Sequence, residues 1–156
     1  MEDLRIVYLA PDELTPYTRN VRVHTQTDID QIKASILRTG FNDPIGVWGE
    51  QNIVVEGHGR LIAAKELSMD KVPCIRLDHL TDTQRRDYMI RHNRTQELSS
   101  WDFDKLEEEI AALEIAGADL SDLKFALEKL ADEKPEQDFL DGEKKHVCPR
   151  CGHEWE

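Results

Sequence analysis

Cysteine is scarce in this chain, with three among 156 residues. So few, and an odd number, do not make a disulfide framework, and a reducing compartment is expected. No apolar run approaches the roughly 20 residues that a membrane-spanning helix needs. The start, Met1-Glu2-Asp3, offers neither the basic residues nor the apolar stretch of a secretory signal. A cytoplasmic protein with no membrane partner is the expectation. Hydrophobic residues make up only 39% of the chain and charged ones 33%, which points to a modest core with solvated helices or a tail. There is no internal repeat. No Ser/His/Asp or Cys/His arrangement can be read, so catalytic residues stay unassigned.

Basic charge is also in short supply. The net charge of −12 excludes a general coat for nucleic acid. Its distribution says more. Residues 58–94 carry 8 basic and 5 acidic side chains, whereas residues 95–143 carry 4 and 16. A mildly basic segment is therefore followed by a strongly acidic one.

What is present centres on residues 53–67. Ile53-Val54-Val55 reads as the end of a buried strand, Gly57 and Gly59 loosen the backbone, and good helix formers follow from Arg60 to Leu67. A strand, tight turn and helix in this order leave free N–H groups at the helix start, where an anion is favoured. Arg60 in the first turn can add a two-pronged contact to phosphate. The plain alternative is a turn that only reverses the chain.

Around this centre the patterning predicts strands over 4–9, 44–48 and 72–77, the second joined to 53–55 by a hairpin turn at 49–52. Residues 14–17 and 20–24 look like an ordered loop. A helix capped by Thr27 or Asp28 carries an apolar stripe of Ile29, Ile32, Ile36 and Leu37 and ends at Gly40. Thr81 caps a long helix over 82–95, and two more helices, broken near Gly117, lie between 101 and 131. Residues 135–145 read as a polar linker.

Three stretches then occur in a recognisable order. They are Gly40-Phe41-Asn42-Asp43-Pro44-Ile45, then Gly57-His58-Gly59-Arg60-Leu61-Ile62-Ala63-Ala64, then the run from His92-Asn93-Arg94-Thr95-Gln96 to Trp101-Asp102. Over about residues 3–131 the chain resembles the ParB/sulfiredoxin-like N-terminal domain family. It is most similar to the stand-alone or methyltransferase-linked versions of phages and mobile elements. The resemblance implies an α/β fold, a small mixed sheet packed with helices, with a nucleotide site between the glycine turn and the helix bearing Asn93. Partition-type members bind CTP with magnesium and close like a clamp on DNA; some relatives are ATPases or nucleases. It implies a ligand site made of Glu56, Gly57, His58, Gly59, Arg60, His92, Asn93 and Arg94, taking CTP or ATP.

The chain departs from the partition pattern in two places. The turn has His58 and Gly59 where an acidic residue and an arginine are usual, and Ile62 replaces a later arginine. His92 stands where an acidic residue helps to hold the metal, and imidazole is a poor partner for magnesium. The resemblance thus weighs against magnesium here. It also weighs against sulfiredoxin activity, because the turn lacks that enzyme's cysteine. Cys74 lies in an apolar strand and reads as a core residue.

Arg85, Arg86 and Arg91 on the long helix are the candidates for contacting DNA, with a solvated stripe as the alternative. The acidic segment after them is poor material for a major groove, so DNA binding is expected to be weak without a partner. Glu56 is the best carboxylate for a metal or a base; pairing with Arg22 from the 20–24 loop is its alternative. At the C-terminus, Cys148-Pro149-Arg150-Cys151-Gly152 is a Cys-x-x-Cys knuckle, and His146 and His153 could complete a zinc site, as could a second chain.

The organisation read from sequence is a ParB/sulfiredoxin-like domain over 1–98, an acidic helical annex over 99–133, and a linker with a zinc-knuckle-like tail over 134–156. Nucleotide binding in phage or plasmid DNA metabolism, with a protein partner such as a DNA-modifying enzyme or a second copy, is the leading expectation. A nuclease or NTPase in its own right and a protein-interaction adaptor are the alternatives.

Overall fold

The computed structural model describes residues 4–97, 101–121, 146–147 and 154–155. The chain divides into two compact units, Met1–Glu109 and Ile110–Glu156. Among the described residues, no helix is long and apolar enough to cross a membrane.

The first unit is built on a four-stranded mixed sheet. Its strands are β1 (Ile6–Leu9), β2 (Ile45–Trp48), β3 (Ile53–Glu56) and β4 (Val72–Arg76), arranged β1-β4-β2-β3. β2 runs parallel to β4, and both outer pairs are antiparallel. Cys74 is the hinge of the register, opposite Val7 on one side and Ile45 on the other. It is fully buried, as expected, and burial pushes its thiol up to about 11.

Side chains alternate across a strand, so each strand feeds two cores. Val54 joins Ile45, Val47, Val72 and Cys74 beneath Leu14, Leu61 and Ala64. Val55 points the other way and packs with Leu77 and Met89, next to Tyr17, Trp48 and Tyr88. Each fully buried Val, Leu or Ile contributes roughly 1.5–3 kcal/mol. The sheet is thereby held between α2 (His58–Glu66) on one face and α3 (Asp82–Glu97) on the other.

The helices begin where side chains can satisfy their free amides. α1 (Gln26–Thr39) is capped by Thr25, whose hydroxyl accepts from Asp28 N while the Asp28 carboxylate accepts from Thr25 N. The helix therefore starts earlier than a Thr27 or Asp28 cap predicts, because Asp28 serves as the third helical residue. Gly40 ends it, as expected. Thr81 caps α3 through the same reciprocal arrangement with Gln84.

α4 (Phe103–Ile115) starts at Asp102, which accepts from Lys105 N, and stops before Gly117, whose φ is +83°. In the second unit, β5 (His146–Val147) pairs antiparallel with β6 (Glu154–Trp155), His146 opposite Trp155. Cys148, Cys151 and His153, expected as metal ligands, lie outside the described residues, as does the 135–145 linker.

Candidate functional site

The strand-to-helix turn is set by Gly57. It caps α2 in the left-handed conformation, φ 86° and ψ 28°, which costs little only for glycine. A Cβ there would come within 2.9 Å of Arg60 Nε and Nη2. Gly57 thus makes room for Arg60 to fold back over the start of its own helix. Two residues on, a Cβ at Gly59 would meet Ile32 and His24 at about 3 Å, so a bare backbone also lets α1 approach.

Arg60 is held rather than loose. Its side chain is 19% exposed, and it pairs with Asp43 from the loop before β2, a carboxylate that is 74% exposed. Its Nε is buried without a hydrogen-bond partner. Burial pulls the guanidinium's pKa down, yet an arginine stays cationic at neutral pH. A fixed cation with an unsatisfied donor beside a helix N-terminus is well placed for an anion.

His58 is turned inward. Its Nε2 accepts the N–H of Tyr17 at 3.3 Å, which assigns the ring proton to Nδ1 in the neutral form. Burial, and then the neighbouring His24, push its pKa down to about 4. His58 is a neutral ligand of the protein backbone.

Glu56, at the end of β3, is 14% exposed in its side chain. Its Oε2 accepts from the Tyr88 hydroxyl at 2.7 Å and lies 3.3 Å from His92 Nε2. The Tyr88 and His92 rings are 5.5 Å apart. Burial, reinforced by the Glu56 carboxylate, raises the Tyr88 pKa. The alternative pairing of Glu56 with Arg22 is replaced by these two partners from α3, which crosses directly over β3.

These groups face a cavity of about 380 Å³. Its floor is the run from Val55 to Arg60, and α3 contributes His92 and Asn93. α1 and the loop after it supply an apolar side with Ile32, Ile36 and Phe41, and Asn20, Arg22 and His24 close the mouth. The Asn20 side chain clamps the backbone N–H and C=O of Arg22. One side is polar and charged, the other apolar, as a site for a small amphiphilic anion requires.

Seven of the eight expected ligand residues line this cavity: Glu56, Gly57, His58, Gly59, Arg60, His92 and Asn93. Arg94 does not, because successive helical residues turn away from one another and it lies on the exposed side of α3. Arg85, expected among the DNA-facing arginines, is only 3% exposed. Its guanidinium sits 4.5 Å from the Tyr17 ring centroid and 5.0 Å from that of Trp48, and pairs with Asp82 at 2.6 Å. That environment removes it from any duplex. Arg86 and Arg91 are exposed, paired with Asp82 and Asp87 respectively.

Sequence reasoning missed Asp43, Tyr88 and His24 as parts of the site. Asp43 lies within the Gly40-to-Ile45 motif. Tyr88 stands four residues before His92, a spacing that places both on one helix face. Magnesium does not fit the residues present: the Tyr88 hydroxyl occupies Glu56 Oε2, and the group beside that oxygen is an imidazole and not a second carboxylate. Among the described residues, no cluster of three or more His, Cys, Asp or Glu could hold a metal ion.

No protein-family model matches the chain. Among curated proteins, it is 41% identical over 85 residues to the ParB-like nuclease domain-containing protein YnaK of Escherichia coli, an alignment spanning 54% of this chain and 97% of that protein. Among solved structures it resembles the C-terminally truncated chromosome-partitioning protein ParB from Caulobacter crescentus complexed with CTP-γ-S. There the TM-score is 0.60 and the identity 20%, over 76% of this chain and 68% of the other. A sulfiredoxin from Arabidopsis thaliana matches at a TM-score of 0.43 and 21% identity, over 47% and 85%.

Proposed function

The chain belongs to the ParB-like nuclease domain family, and on that premise we propose that its pocket binds a nucleotide in the service of phage or plasmid DNA metabolism. The observation that carries this is Arg60: a mostly buried guanidinium, its Nε unpartnered, fixed at the N-terminus of α2 beside a cavity with one apolar side. The amides of the first turn and Arg60 receive the phosphates. Ile32, Ile36 and Phe41 offer an apolar face to the base or ribose. The CTP-γ-S complex of the Caulobacter protein, which shares the fold, supports a triphosphate as the ligand, with CTP and ATP as the first candidates.

The charge pattern supports a protein partner. Residues 95–143, with 16 acidic and 4 basic side chains, repel a duplex, so a DNA-modifying enzyme that this chain targets or regulates supplies the main DNA contact. A hydrolytic reading, nuclease or NTPase, is favoured by one feature: the Glu56 carboxylate beside the proposed phosphate site could serve as a base. Calorimetric titration of the full chain with the common nucleoside triphosphates tests the first reading, and the absence of saturable binding to any of them refutes it. Assay of the same samples for released phosphate or cut DNA separates binding from hydrolysis.

A further inference from the structure

We infer that this pocket is not built for a divalent cation, and that the polyphosphate it takes is bound as the metal-free anion. The inference rests on the nucleotide reading for its ligand, but its claim about the metal can be decided without one. Magnesium requires near-octahedral oxygen ligands at about 2.0–2.1 Å and is held through one or two carboxylates together with phosphates. Two carboxylates line the cavity, Glu56 and Asp43.

Each of them has one oxygen engaged. Asp43 is paired with Arg60. Glu56 Oε2 accepts from Tyr88 and faces His92 Nε2. A cation on Glu56 Oε2 has to displace both, and one on Oε1 finds beside it an imidazole in place of a second carboxylate. The remaining imidazole nitrogen is a borderline-soft donor that suits magnesium poorly. The phosphates are therefore neutralised by Arg60 and the α2 amides, with Arg22 also lining the cavity. Magnesium in solution then acts as a competitor, because it chelates the triphosphate and depletes the form the pocket accepts.

His92→Glu provides the complementary change. It sets a carboxylate against Glu56, and two such groups repel unless a proton or a cation lies between them. The experiment uses the full chain in two arms. In the first, wild type, His92→Glu and His92→Gln are melted with EDTA and with magnesium or manganese alone. The wild-type melting temperature is expected not to move with the metal, and that of His92→Glu to rise. His92→Gln, neutral and carrying an amide oxygen, makes the same comparison with a smaller rise if the glutamate variant does not fold.

In the second arm, CTP, ATP and pyrophosphate are titrated calorimetrically into wild type with EDTA and with excess magnesium. Affinity in EDTA is expected to equal or exceed that in magnesium, whereas His92→Glu is expected to gain at least about tenfold from the metal. A wild-type melting temperature that climbs with magnesium, or wild-type affinity about tenfold tighter in its presence, overturns the inference. Failure of wild type to bind any nucleotide under either condition overturns the nucleotide reading instead, and the melting arm still decides the claim about the metal.

Discussion

Gly46 leaves the space that the Glu56 side chain fills: a Cβ built on Gly46 would come within 2.6 Å of Glu56 Cγ. The two residues face each other across the β2–β3 pair, beside a register irregularity between Gly46 and Val47. The small residue on one strand thus fixes where the buried carboxylate on the next can lie. Gly46→Ala should force Glu56 off Tyr88 and cost about 1–3 kcal/mol of stability through overpacking. Urea unfolding of the variant checks this, and an unchanged midpoint contradicts it.

Arg60→Ala should weaken nucleotide or pyrophosphate binding by at least about tenfold, because a charge-assisted contact to an anion contributes roughly 1.5–3 kcal/mol. Folding should survive, since the apolar residues of α2 remain in place. Asn93→Ala, on the facing wall of the cavity, is expected to behave in the same direction. Calorimetry with circular dichroism as the folding control decides it; equal affinities for variant and wild type count against the site.

Arg85 and its exposed neighbours should separate cleanly. Arg85→Ala removes a cation stacked near Tyr17 and Trp48 and should cost about 2–3 kcal/mol of stability. Arg86→Ala and Arg91→Ala should leave stability within about 0.5 kcal/mol of wild type. If the exposed pair touches duplex at all, each substitution should reduce the salt dependence of binding by about one ion. Salt-series binding together with thermal melting reports both effects.

His58 makes stability depend on pH. Its folded pKa, about 4 against the usual 6.5, means the unfolded chain binds the extra proton between those values. The contribution is fully present above pH 6.5 and is lost as the pH falls toward 4, amounting to roughly 1–2 kcal/mol once partial solvent exposure is allowed for. His58→Gln should flatten the stability profile across that window. Urea midpoints measured from pH 7 to pH 4 for both proteins provide the comparison.

The C-terminal tail should carry zinc through its thiolates. β5 and β6 flank the Cys148-x-x-Cys151 segment in an antiparallel pair, and a knuckle between two short strands suits tetrahedral zinc. Protein purified without chelator should contain stoichiometric zinc, and Cys148→Ser should remove it. Metal analysis that finds none in wild type rejects the site.

Local sequence determined a good deal of this protein. The β-branched run before Gly57, the left-handed glycine and the helix formers after it act over a few residues, so the strand, turn and helix with Arg60 in its first turn could be read directly. The same holds for the Gly40 stop, the Thr81 cap and the burial of Cys74. Tertiary structure alone decided which groups meet. Glu56 finds Tyr88 across 32 residues of chain only because α3 lies over β3, and Asp43 reaches Arg60 only because the loop before β2 folds over the cavity. Arg85 shows the limit most plainly. Its charge predicts a surface, but the rotation of α3 aims it at Tyr17 and Trp48, and its guanidinium stacks over both rings.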